Sequence, residues 1–261
     1  WRWGGNSTAA LEGGISSFET IDYLIRAVLD RKRFPAMRRV VVGGHSAGGQ
    51  IVQRYALFTR VDEEASAAGV AMEFYPANPS SWTYLDGMRP VLPELDTRSC
   101  DNFCDNSTVA ETTYKFVVPS GSRLSECPTY NDYGFGLDNA DAAPYVASVQ
   151  PSTKDMLERY ERKAVFYLSG ESDVCNKPFQ DAHKCTACTV DDGGFETTCG
   201  DYFEGACRME RAHAFVQSMC VHYGSCPKTH SLVSVPHVGH QGGAMFQSDA
   251  ALAVIFGEPQ P

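Results

Sequence analysis

Apolar residues between positions 16 and 31 recur on a single stripe: Phe18, Ile21, Ile25, Val28 and Leu29. That spacing predicts an amphipathic helix, with the stripe buried and the opposite face in water. Ser16 and Glu19 precede the stripe at capping-box spacing. Pro35 forbids continuation, because it lacks an N–H and its ring clashes with the preceding turn. The period then changes. Val40 to Val42 is a short β-branched run, read as a buried strand. Gly43 and Gly44 end it, and Gln50 to Thr59 returns to a helical pattern. A strand, a glycine-rich turn and a helix thus follow one another around Ser46.

Three further strands are expected: Val70 to Tyr75, Ala164 to Leu168 and Leu232 to Val235. Helical patterns occupy about 152–162, 206–221 and 244–256. Strands alternating with helices imply an α/β fold, a mostly parallel sheet with helices on both faces. Two long connections interrupt the alternation. Residues 76–163 read as a lid- or cap-like insertion and 174–228 as a cysteine-rich one, both within a single domain spanning 1–261. No repeat or low-complexity tract divides the chain.

Composition narrows the function classes. The chain has 261 residues, 43% hydrophobic and 21% charged, which is ordinary globular usage. Its net charge of -10 disfavours partners with phosphate backbones, so no nucleic-acid role is expected. The longest apolar run, Ala250 to Gly257, is 8 residues, far short of the roughly 20 that a spanning helix needs.

Ten cysteines, seven of them between Cys175 and Cys226, read as disulfide stapling in an oxidising compartment. Asn6-Ser7-Thr8 and Asn106-Ser107-Thr108 are glycosylation sequons, so Asn6 and Asn106 are candidate glycan sites. Together these features point to a secreted, extracellular protein. Cys185-Thr186-Ala187-Cys188 has zinc-ligand spacing, but no second CxxC or HxxxH pair matches it, so no metal site is expected.

Gly44-His45-Ser46-Ala47-Gly48 matches G-x-S-x-G. A serine on a tight strand-to-helix turn is exposed above the sheet edge, and small neighbours let the backbone close around it. The Ala47 N–H, at the start of the following helix, is aimed at a developing oxyanion. The rival reading has Ser46 merely capping that helix. A serine nucleophile needs a base, and the base needs an orienting acid. His240 follows the last strand in Val235-Pro236-His237-Val238-Gly239-His240-Gln241-Gly242-Gly243, and its flanking glycines favour it over His237. Asp173, just past the Ala164 to Leu168 strand, is the candidate acid, with Glu171 the alternative. His45 reads as packing beside the elbow. Asn78, Ser80, Trp82 and Tyr84 follow the second strand and are candidate substrate contacts.

With Ser46, Asp173 and His240 in that chain order, the sequence resembles the α/β-hydrolase superfamily, most strongly over Phe34 to Gln50. It looks like secreted, cysteine-containing esterase or lipase-like members from fungi and other eukaryotic microbes. The resemblance spans about residues 15–90 and 163–257. It implies Ser46 as nucleophile, His240 as base, Asp173 as acid and Ala47 as oxyanion donor. One feature departs from the pattern. Such hydrolases place strand, helix, strand and helix before the elbow strand, roughly 55 to 60 residues by the size of βαβ units. Only 45 residues precede Ser46. N-terminal strands, and the loop carrying a second oxyanion donor, are therefore expected to be missing. The expected activity is hydrolysis of a small-molecule or lipid ester through an acyl-enzyme, which needs no metal or organic cofactor. The alternative is a non-catalytic extracellular module for assembly or adhesion, built on a hydrolase scaffold.

Overall fold

The computed structural model describes residues 1–8, 13–94, 97–100, 103–104, 106–149, 152–185 and 195–257. Helix α1 (Ser17–Val28) starts at Ser16, whose hydroxyl oxygen accepts from the Phe18 N–H at 3.1 Å. The cap therefore engages Phe18 rather than Glu19. Strand β1 (Arg39–His45) leads through Ser46 into α2 (Ala47–Phe58), then α3 (Val61–Ala67) and β2 (Ala71–Ala77). The first excursion holds a short antiparallel pair, β3 (Arg89–Pro90) and β4 (Phe116–Val117), with α4 (Asn106–Glu111), α5 (Gly121–Glu126), α6 (Pro144–Val149) and α7 (Thr153–Arg162). Strand β5 (Ala164–Gly170) follows. The second excursion carries α8 (Lys177–His183), α9 (Cys199–Glu204) and α10 (Arg208–His222). The chain then forms β6 (His230–Val235), α11 (Gly242–Gln247) and α12 (Asp249–Phe256).

The main sheet has the order β1-β2-β5-β6, with every pair parallel. Its side chains alternate between two cores, as the strand period of two requires. Phe74, Val165 and Tyr167 face α1, α2, α7 and α10. Tyr75, Ala77, Leu168 and Val235 face α11 and α12. This is an α/β fold with helices on both faces of a parallel sheet.

Several elements differ from the sequence expectation. β1 is not fully buried: it forms one edge of this sheet, and Val41 is exposed. The expected helix over 244–256 is two helices, because Ser248 takes an extended backbone and caps α12 through the Ala251 N–H. α2 ends where the buried Lys163 ammonium donates to the Ala56 and Thr59 carbonyls. Burial lowers that amine to about 8.

Disulfides knit the two excursions together: Cys100–Cys185, Cys104–Cys207 and Cys127–Cys199 each join one to the other. Cys220–Cys226 closes a local loop. Cys175 is disulfide-bonded as well, and no described cysteine is free. Cys185 thus belongs to a disulfide rather than to a thiolate pair, while Cys188 lies outside the described residues. Among the described residues no helix is long and apolar enough to cross a membrane.

Candidate active site

Ser46 is the entire turn between β1 and α2. Its backbone lies at φ 59°, ψ −120°, a region costly for a side-chain-bearing residue. Packing holds it there: the Ser46 N–H donates to Ala77 O at 2.9 Å, and Gln50 N–H donates to Ser46 O at 3.0 Å. The neighbouring glycines have a steric reason. A Cβ on Gly44 would stand 2.5 Å from the Gly48 carbonyl oxygen, and one on Gly49 2.6 Å from that of Ala77. Gly48 itself has room for a side chain. Ala47 opens α2, so its N–H belongs to the first helical turn, whose amides have no carbonyl partner within the helix.

His240 lies on the loop between β6 and α11 and brings Nε2 to 2.9 Å from Ser46 Oγ. Its Nδ1 is 2.8 Å from Asp173 Oδ2. An ionised carboxylate only accepts, so Nδ1–H donates to Asp173 and Nε2 offers its lone pair to the serine hydroxyl. Asp173 follows β5 by three residues, is 1% exposed, and is held by its own N–H donating to Gly170 O at 3.0 Å. His237 is exposed, at φ 60°. Glu171 acts electrostatically on His213.

His45 packs against His240, ring centroids 4.5 Å apart. Burial first, and the neighbouring His240 second, lower its imidazole to about 4, so it stays neutral around neutrality. The two rings are tilted by 42° to each other.

The four residues expected to touch substrate are all buried. Asn78 braces the site: its Oδ1 accepts from Gly170 N–H at 2.8 Å and its Nδ2 donates to Gly239 O at 3.0 Å. It therefore ties the loops carrying Asp173 and His240 to the end of β2. Ser80 is 3% exposed and accepts from Arg208 Nε at 3.3 Å. Trp82 and Tyr84 are fully buried; Trp82 stacks on Phe215 of α10 at 4.8 Å, and its backbone N–H donates to Glu204. The physical reason is α10, which roofs this segment.

Sequence reasoning also missed Arg208, the first residue of α10. Its Nη1 donates to Asp173 Oδ1 at 3.2 Å, and neither side chain is more than 1% exposed. The adjoining Met209 N–H donates to the Asp173 carbonyl at 3.3 Å. Nearby, Arg211 pairs with Asp201, and both guanidinium groups face the Phe195 ring. Asn6 is exposed, its Nδ2 donating to Gly13 O at 2.6 Å. Asn106 begins α4, and its side chain lies outside those described. Among the described residues no cluster of His, Cys, Asp or Glu could hold a metal ion.

The fold and its parallel sheet make the chain an α/β protein, and its likeness to solved structures lies in that fold. It is similar to the crystal structure of LpqC, a poly(3-hydroxybutyrate) depolymerase from Bordetella parapertussis, at TM-score 0.54 and 20% identity over 94% of this chain. It is also similar to poly(aspartic acid) hydrolase-1 from Sphingomonas sp. KT-1, at TM-score 0.51 and 18% identity over 90% of this chain. The chain spans only 59% and 61% of those two chains. No protein-family model and no curated protein matches the sequence.

Proposed function

We propose that the protein is a secreted serine hydrolase that cleaves a carboxylic ester. The observation that carries this reading is the unbroken chain of contacts from Ser46 Oγ through His240 to Asp173, at 2.9 and 2.8 Å. Ser46 Oγ attacks the ester carbonyl carbon while His240 Nε2 takes its proton. The oxyanion faces the Ala47 N–H at the start of α2. The tetrahedral intermediate collapses, the C–O bond to the alcohol breaks, and His240 returns the proton to the leaving alkoxide. Water then repeats the sequence against the acyl-serine and releases the acid. Asp173 keeps the imidazole in the Nδ1–H tautomer and stabilises its charged form. The hydrolase neighbours support the scaffold, and the cystines support an extracellular setting. The substrate class is a small-molecule or lipid ester, and the chemistry needs no metal or cofactor. Asn6 and Asn106 are proposed to carry glycans.

The test is fluorophosphonate labelling of the native chain, read by peptide mass spectrometry. A single adduct on Ser46, absent from Ser46→Ala and strongly reduced in His240→Ala, is expected. A folded chain that takes no adduct would instead favour a non-catalytic extracellular module on the same scaffold.

A further inference from the structure

A catalytic acid orients its histidine and stabilises the imidazolium. Here the second oxygen of Asp173 is occupied. Oδ2 accepts from His240 and Oδ1 from Arg208, so one buried carboxylate is shared between an imidazole and a guanidinium. Arg208 is locked in place: its Nε donates to Ser80 Oγ, its plane lies over Phe195 with Cζ 4.9 Å from the ring centroid, and its side chain is 0% exposed. A carboxylate this deeply buried needs charged or hydrogen-bonding partners, and Arg208 and His240 supply one to each of its oxygens.

The geometry points to Arg208 as a positioning residue that sets the basicity of His240 through Asp173. The inference rests on the hydrolase reading of Ser46. The guanidinium divides the charge of the carboxylate and also repels an imidazolium beyond it, and both effects disfavour the protonated histidine. His240 accepts the Ser46 proton at Nε2, and Arg208 acts on that step through Asp173. The groups facing the histidine are few. Ser46 stands at the elbow and His45 at the end of β1. Asp173 follows β5, with Arg208 of α10 behind it. His45 is neutral above its value of about 4, so it supplies no competing charge around neutrality. Arg211, the next cation, is already paired with Asp201.

The experiment is a histidine-labelled NMR titration of the full chain, in the native protein and in Arg208→Gln and Arg208→Lys. It is paired with the pH profile of kcat/KM on p-nitrophenyl acetate. Arg208→Gln is expected to raise the His240 midpoint by about one pH unit or more, with the acid limb of the profile moving in step. Arg208→Lys, which keeps the charge and loses the planar fork, is expected to stay within about 0.3 unit of the native chain. An unchanged or lowered midpoint in Arg208→Gln overturns the inference. So does a shift of a full unit in Arg208→Lys, a result that stands even if Arg208→Gln does not fold. The NMR midpoint is read without turnover. A chain that labels at Ser46 but ignores Arg208 therefore loses this inference alone, and an unlabelled chain loses the hydrolase reading instead.

Discussion

His240 and His237 lie three residues apart on one loop, yet their surroundings differ sharply. His240 meets the elbow serine on one side and a buried carboxylate on the other, while His237 is exposed. His240→Ala is expected to lower kcat by about 10⁴-fold or more, as loss of a triad base does. His237→Ala should keep most of the native rate, and a steady-state assay of both variants on one ester checks the pair. At this scale the site was legible where local chemistry is distinctive. Glycines crowd an elbow because Gly44 and Gly49 have backbone oxygens where a Cβ would go. A histidine between glycines after a strand is likewise a local signal. Arg208 left no such signal, since an arginine early in a helix is ordinarily solvated and its burial comes from segments far away in sequence. The burial of Trp82 and Tyr84 left no local signal for the same reason. Their sequence neighbourhood resembles an overhanging loop, but α10, more than a hundred residues later, covers it.

Among the elements, the sheet strands followed the pattern, because Phe74, Val165 and Tyr167 face one apolar layer and Tyr75, Leu168 and Val235 the other. In the excursions the helical patterns over 152–162 and 206–221 reappear as α7 and α10, while the shorter helices had no such pattern. Three disulfides join the two excursions. Spacing along the chain does not encode which cysteines meet. Cys104–Cys207 matters most for the site, because Cys207 caps α10 and Arg208 follows it directly. Replacing that pair with serines is expected to lower the activity at a temperature where the sheet, read by circular dichroism, is still folded. The same change at Cys220–Cys226, which closes a loop of sequence separation 6, should cost about 2 kcal/mol of stability and leave kcat near native. Thermal melts and initial rates of the two variants separate the effects.

For the molecule as a whole, acid is the weak direction. The buried His230 donates from Nε2 to Tyr160 O at 2.9 Å and accepts from the Tyr167 hydroxyl at Nδ1, so both ring nitrogens are engaged in the neutral form. Burial lowers it to about 4. In the unfolded chain a histidine titrates near 6.5. Between those values the unfolded state binds more protons, so stability is full above about pH 6.5 and falls as pH drops towards 4. His230 alone accounts for up to about 3 kcal/mol of that loss. Urea midpoints at pH 7 and pH 5 should differ accordingly, and His230→Gln should shrink the difference. The cystines set a second condition, one of place and time. A chain still in reducing surroundings carries its serine and its histidine, but the bridge that ties the start of α10, where Arg208 meets the Asp173 carboxylate, has not yet closed. On the proposed reading, the cell that makes this protein is shielded from it by chronology. Its ester-cleaving power then matures as the Cys104–Cys207 bridge closes, so sulfur chemistry times its appearance.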